Sequence, residues 1–251
     1  MSGHSKWHSI KHKKGREDAK RGKIFTKLIR EITVAARIGG GDPGANPRLR
    51  TVITEAKAQN MPAENITRAI KKGTGELDGV SYEEISYEGY GPAGVAIMVD
   101  VLTDNKKRTV SELRYIFSKS GGNLGETGCV TWMFKKCGLF QIPVEQIGED
   151  ELLEIVTNAG ADDMTTEEGY YNIISPPESF GDVFKELEDK GLKPEVARLT
   201  MEPTNYVDIT DEKSASQVLR IMDALDDQDD VQQVYSNFDI DDSILKKLEE
   251  D

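Results

Sequence analysis

The sequence predicts an α+β fold in three domains, on the strength of a change in charge, a change in hydrophobic period and a count of alternating elements. Residues 1–72 hold 17 basic against 6 acidic side chains, net +11, whereas 73–251 hold 15 against 39, net −24. Near the same point the apolar residues stop recurring every three to four positions and begin to alternate every two, the change from helix to strand. Beyond it, strands and helices succeed one another in short runs, the pattern of sheets with helices on one face.

The basic segment reads as three helices. From Ala19 to Ile38, Ile24, Leu28, Ile32 and Ala35, with Phe25, Ile29 and Ala36, form one apolar side. Arg16, Lys20, Lys23, Lys27, Arg30 and Arg37 gather on the opposite side, so one helix offers a core face and a basic face. The glycine-rich run 39–44 ends it. Asn46-Pro47 then opens a second helix as N-cap and first-turn proline, with Leu49, Val52, Ile53 and Ala56 inward. Met61-Pro62 opens a third, carrying Ile66, Ala69 and Ile70 and closed by Gly73. Three short amphipathic helices bury one another only as a bundle.

After Gly73-Thr74-Gly75 the chain reads as strand 94–102, helix 108–119 and strand 128–134, with a further strand near 82–88 at an edge. Strand 138–142, helix 149–159, strand 169–174, helix 178–190 and strand 196–201 follow; then come strand 205–210, helix 215–226 and strand 231–236. The stretch 138–201 has the size of a β-α-β-β-α-β ferredoxin-like unit. The flanking β-α-β halves, 94–134 and 205–236, would make a second such unit if they pair. The expected domains are therefore 1–75, basic and helical with a flexible N-terminal arm; 80–135 plus 204–240, a split α/β domain; and 136–203, an inserted α/β domain. Residues 241–251 would form an acidic C-terminal tail. The crossings Phe134 to Leu139 and Met201 to Asn205 are expected to act as the hinge.

Composition narrows the function classes. Cys129 and Cys137 are the only cysteines, a usage that fits a reduced cytoplasmic protein better than a disulfide scaffold. No apolar run approaches the roughly 18–20 residues that span a bilayer, and the charged start lacks the apolar stretch of a secretory signal. No membrane partner is expected.

The start of the chain carries the sharpest chemical signal. His4, Lys6, Trp7, His8, Lys11, His12, Lys13, Lys14 and Arg16 form a basic arm punctuated by one aromatic ring, suited to phosphate contact and base stacking. His4, His8 and His12 also have a spacing that would align imidazoles on a helix. The lysines around them would repel a divalent cation, so no metal and no cofactor are expected. The basic helix face, Lys20, Lys23, Lys27, Arg30 and Arg37, extends the nucleic-acid contact, and Arg48, Arg50, Lys57, Arg68, Lys71 and Lys72 would extend the footprint beyond it. Charge reversal at Lys23, Lys27 and Arg30 is expected to abolish binding and leave the fold intact. Asp104-Asn105 reads as a turn and N-cap. The glycine-rich run 121–128 lacks the Lys-Ser/Thr of a phosphate loop and reads as a connection. No histidine follows residue 12, which leaves no nucleophile–base pair of the familiar kind and argues against an enzyme.

Long motifs carry a resemblance. Ser2-Gly3-His4-Ser5-Lys6-Trp7, Asn46-Pro47-Arg48-Leu49-Arg50, Met61-Pro62-Ala63-Glu64-Asn65-Ile66, Tyr87-Glu88-Gly89-Tyr90-Gly91-Pro92, Gly121-Gly122-Asn123-Leu124-Gly125 and Val234-Tyr235-Ser236-Asn237-Phe238-Asp239 together resemble the YebC family over the full length. Cys129 and Cys137 depart from the small or polar residues expected there, which argues against shared thiol chemistry. The resemblance implies a three-domain fold and a regulatory role. Bacterial members are described as transcriptional regulators that bind DNA and have been linked to the ribosome, and mitochondrial relatives act as translational activators. The expected partner is thus DNA, or ribosomal RNA and the ribosome, with a basic protein partner as a further candidate for the acidic α/β body. A metal-dependent phosphate-processing enzyme and a protein-binding scaffold are the competing classes.

Overall fold

The computed structural model of the chain describes residues 17–167 and 169–250. It divides into two compact units, one comprising Trp132–Tyr206 and the other the chain on either side, up to Thr131 and again from Val207. In chain order the elements are α1 (Glu17–Gly39), α2 (Pro47–Ala58), α3 (Ala63–Thr74), β1 (Glu83–Tyr90), β2 (Ala96–Thr103), α4 (Lys106–Lys119), β3 (Asn123–Leu124) and β4 (Phe134–Pro143). There follow α5 (Glu149–Asn158), β5 (Asp163–Glu167), β6 (Tyr170–Ser175), α6 (Phe180–Asp189), β7 (Val196–Pro203), β8 (Val207–Ile209), α7 (Glu212–Asp226), β9 (Val231–Ser236), β10 (Phe238–Ile240) and α8 (Asp242–Glu250). The fold class is α+β with a helical N-terminal region, as the sequence indicates.

The first three helices pack around Ile32, Leu49, Ile53, Ala56, Ile66 and Ala69, all buried. Gly73 has a different task from the helix-closing one expected of it. The helix runs on to Thr74 and is capped by Gly75 in the left-handed region, φ 81°. A Cβ on Gly73 would lie 2.3 Å from the Thr33 carbonyl oxygen, so glycine there lets α3 lie against α1. Asn46 fastens the turn between α1 and α2. Its side chain accepts from the Leu49 amide at 3.1 Å as the N-cap of α2, and donates to the Ala35 and Gly40 carbonyls, each at 2.8 Å.

In the same unit, four antiparallel strands form a sheet in the order β3-β1-β2-β9. The helices α4 and α7 cover it, burying Leu113, Phe117, Val218, Ile221, Met222 and Leu225 against Ile97, Val99, Val101 and Val234. The sheet takes its strands differently from the two expected β-α-β halves. β1 is an edge for most of its length and is joined by β3 only at Gly89 and Tyr90. β8 pairs in parallel with β10 in a separate two-stranded sheet. The residues expected as a tail are the helix α8, whose Ile244 and Leu245 are buried in the sheet's core; apolar residues at adjacent positions gain more from burial than a tail could.

In the Trp132–Tyr206 unit the sheet order is β5-β6-β4-β7, antiparallel throughout, the ferredoxin-like arrangement. Phe140, Ile142, Leu152, Val156, Ile173, Val183 and Leu187 fill its core, and Phe140 stacks on Phe180 with centroids 4.8 Å apart. β5, whose burial pattern is largely exposed, was not located by hydrophobic pattern. The expected hinge residues are strands instead: β4 and β7 pair continuously from Phe134↔Pro203 to Gln141↔Val196, and the chain passes between units at Thr131–Trp132 and Tyr206–Val207.

Asn46→Ala removes three hydrogen bonds from a buried turn. It should cost about 2 kcal/mol, read as a lower denaturant midpoint with the far-ultraviolet spectrum retained.

Candidate nucleic-acid interface

The basic side of α1 meets an acidic turn of the same chain. Lys23 Nζ lies 3.2 Å from Asp227 Oδ1, and Lys27 Nζ lies 3.1 Å from Asp226 Oδ1 and donates to the Asp226 carbonyl at 2.8 Å. Arg30 reaches deepest, donating to Asp230 Oδ1 at 2.8 Å and to the Asp229 carbonyl, with its guanidinium 5.5 Å from the Tyr82 ring centroid. Three members of the stripe expected to face a polyanion, Lys23, Lys27 and Arg30, are thus occupied by the helix-ending turn 226–230. Arg37 donates to Ser81 Oγ at 2.7 Å and to the Tyr82 carbonyl, and Arg48 donates to Glu31 Oε1 at 2.7 Å and to Glu84. Charge reversal at Lys23, Lys27 and Arg30 would therefore act on the fold as well as on any ligand, which corrects the expectation that it leaves the fold intact.

Asp230 is the centre of this contact. Its carboxylate is 2% exposed and also accepts from Arg108 Nη2 at 2.8 Å, Thr109 Oγ1 at 2.6 Å and Thr103 Oγ1 at 3.2 Å. Burial alone would raise its pKa; the hydrogen bonds from Arg108 and Thr109, with the charges of Arg30 and Arg108, outweigh it and hold Asp230 below the ordinary carboxylate value. Asn105 caps α4 by accepting from the Arg108 amide at 3.1 Å, and Asp104 pairs with Arg108 at 2.8 Å, as the turn-and-cap reading expects.

The remaining expected contacts separate into two groups. His4, Lys6, Trp7, His8, Lys11, His12, Lys13, Lys14 and Arg16 lie outside the described residues, and Lys20 belongs to α1. Arg50 is exposed and makes no ion pair among the described residues, and Lys57, Lys71 and Lys72, expected to extend the same footprint, are also exposed. Arg50 and Lys57, two turns apart, share one flank of α2. Arg68, Lys71 and Lys72 share the outward side of α3, where Arg68 meets only Glu64, at 3.5 Å. With Arg21 on α1, these are exposed cations of the described part of the helical bundle.

The glycine-rich run has an internal anion. Glu88, 3% exposed, accepts from the Gly128 amide at 2.7 Å and from the Val130 and Thr131 amides at 2.8 Å each. Burial pushes its carboxyl up, and the amides more than offset this, so it titrates below its usual range. Those amides face a carboxylate rather than a neighbouring strand, which is why 128–134 is not the expected strand. Cys129 and Cys137 are not joined in a disulfide. Among the described residues there is no group of three or more His, Cys, Asp or Glu side chains that could hold a metal, and no helix long and apolar enough to cross a membrane.

Residues 5–76 match the TACO1/YebC protein N-terminal domain, and residues 82–238 match the TACO1/YebC second and third domain. The chain belongs to the TACO1/YebC family. Its relatives in the family include a probable transcriptional regulatory protein of Syntrophobacter fumaroxidans, 58% identical over 248 residues that cover 99% of this chain and 100% of the relative. Another of that description, from Geobacter sulfurreducens, is 56% identical with the same coverage. The crystal structure of a conserved hypothetical protein from Aquifex aeolicus is 51% identical and superimposes with a TM-score of 0.85, covering 94% of this chain and 97% of that one. Residues 77–81 lie between the matched family domains, and Arg37 binds Ser81 there and the carbonyl of Tyr82, the first residue of the second match.

Asp230→Asn leaves Arg30 and Arg108 facing a neutral amide and should cost about 3 kcal/mol. Because the folded pKa lies below that of an unfolded aspartate, about 3.9, the wild-type contribution is complete above that pH and is lost as pH falls through the folded value. Acid unfolding of the variant should therefore be flatter than wild type below about pH 4. Glu88→Ala should abolish hydrogen-exchange protection at the amides of residues 128, 130 and 131 while β2 and β9 stay protected.

Proposed function

We propose that the chain is a non-catalytic, cytoplasmic regulatory protein that binds nucleic acid through its helical domain. The reading rests on one observation: with Lys23, Lys27 and Arg30 of α1 paired to the turn 226–230, Arg50, Lys57, Lys71 and Lys72 still face solvent without an ion pair among the described residues. The arm of residues 1–16 adds His4, Lys6, Trp7 and the lysines that follow to the same domain. Cations on α2 and α3 take phosphates, and Trp7 stacks on a base. Regulation of transcription through DNA is the role proposed, in keeping with the names of the relatives.

A second reading, action on ribosomal RNA, draws on the chemistry of the exposed helix starts. Reading base edges in a major groove calls for forked donors near a helix N-terminus. Arg48 at the start of α2 is engaged by Glu31 and Glu84, and Asn46 is buried in its own turn. Contact through charge and shape suits structured RNA as well as duplex DNA. In-cell crosslinking followed by sequencing separates the two: promoter DNA supports the first, ribosomal RNA the second, and absence of any crosslinked nucleic acid overturns both. The triple variant Arg50→Glu, Lys57→Glu, Lys71→Glu should keep its thermal midpoint within a few degrees. Its affinity for the recovered nucleic acid should fall about a hundredfold at low salt, and its salt dependence should be shallower by roughly 2–3 in log–log slope. An unchanged slope would exclude phosphate contact by these side chains.

A further inference from the structure

The split domain carries a second set of unspent cations, on a body whose net charge points the other way. The α4 sequence, KKRTVSELRYIFSK, has five basic residues and one acidic. Lys106 is taken by Glu83 at 2.6 Å and Arg108 by Asp230 and Asp104. Lys107, Arg114 and Lys119 are exposed, as is Arg220 on α7, and none of the four has an acidic partner among the described residues. Two of them meet in a cleft. Lys119 and Arg220, with Ser118, Ser120, Gly121 and Gln217, line a hollow of about 250 Å³ between the end of α4 and the middle of α7.

A second hollow between the same two helices, of about 420 Å³, is bordered by Tyr115 and Ile116, one turn before Lys119 on α4, and by Ala224, one turn after Arg220 on α7. Tyr115 is 63% exposed, a large ring left in solvent, and Lys119 Nζ sits 5.5 Å from its centroid. The acidic residues at this hollow are engaged: Glu112 accepts from Gln228 Nε2 at 2.6 Å, and Asp227 pairs with Lys23. The carbonyl end of a helix ordinarily disfavours an anion. Here the last-turn carbonyls are already used, since Ile116, Phe117 and Ser118 accept from the amides of Ser120, Gly122 and Gly121. Two cations and two hydroxyls then outweigh what remains of the helix dipole.

We propose that the α4–α7 groove binds one unpaired nucleotide, its phosphate between Lys119 and Arg220 with Ser118 and Ser120 as hydroxyl donors, and its base against the Tyr115 ring. The inference deepens the nucleic-acid reading above by giving the acidic body a contact of its own. The ligand class is single-stranded nucleic acid, because a ring beside a phosphate site a few ångströms away suits a base turned out of its stack.

The test titrates the full chain with a fluorescein-labelled oligouridylate octamer and, separately, an oligodeoxyuridylate octamer. Tyr115→Ala should weaken binding about tenfold, and Tyr115→Phe, which keeps the ring, should restore it. Lys119→Gln with Arg220→Gln should weaken binding and lower the salt slope by roughly 0.7 for the lost phosphate contact. All these positions are exposed, so thermal midpoints should not move. In nuclear magnetic resonance spectra, the octamer should shift the Gly121 amide and the Tyr115 ring. Preference for one octamer identifies the sugar read, and equal binding marks stacking and phosphate alone. Groove variants that bind with wild-type affinity and slope, or spectra in which Gly121 and Tyr115 stay in place, overturn the proposal. Failure of the helical-domain reading shows elsewhere, as loss of crosslinked nucleic acid in cells.

Discussion

The buried carboxylate of Asp230 is the constraint around which the larger unit is organised. It gathers Arg30 from the helical bundle, Arg108 and Thr109 from the first turn of α4, and Thr103 from the end of β2. A carboxylate taken out of water is costly unless it is fully partnered, so the position of each of these elements is tied to the others. Lys23 and Lys27 extend the same contact along α1 to Asp227 and Asp226 at its more exposed end, where screening leaves each pair worth little. The buried pair therefore sets the geometry, and the outer lysines follow it.

This arrangement changes what the chain's charge asymmetry means. A positive segment and a negative remainder are each ready for an external partner of opposite sign, and the sequence alone invites that reading. In the fold part of each is the other's partner. The acidic turn 226–230 presents carboxylates to Lys23, Lys27 and Arg30 of α1 much as a phosphate backbone would. What is left for an outside polyanion is the flank of α2, the outward side of α3, the arm ahead of α1 and, on the α/β body, the unpaired cations of α4 and α7.

The helices were legible because their period is strong: Leu28, Ile32 and Ala35, or Leu49, Val52, Ile53 and Ala56, are buried as their spacing requires. The inserted sheet was legible in number and kind of elements, except for β5, whose exposed threonines and acids give no alternating signal. Illegible were the features decided by single long-range polar contacts. The segment 128–131 has the residues of a strand, yet Glu88, forty residues earlier, claims its amides. The stripe on α1 looks like a ligand face because the acids that meet it lie some two hundred residues away in sequence. Periodicity reports burial of apolar faces, and it carries no information about which distant charge will be the partner.

Three of the motifs that carry the family resemblance contain such a buried polar residue. Asn46 closes the α1–α2 turn, and Glu88 organises the glycine-rich run. Asn237 accepts from the Ala96 amide at 2.7 Å while its own carbonyl accepts from Val207 at 2.8 Å, joining β2, β8 and β9. A residue that satisfies three backbone groups at once admits few substitutes, because any replacement leaves donors or acceptors buried and unpaired. A long sequence motif can therefore record a structural knot as readily as a ligand contact. The argument applies with opposite force to Tyr115, Lys119 and Arg220. They lie outside those motifs and satisfy no buried group, and their rings and charges stand in solvent at the rim of a groove. Folding does not explain an exposed aromatic ring beside two unpaired cations, whereas a nucleotide bound there would use all three.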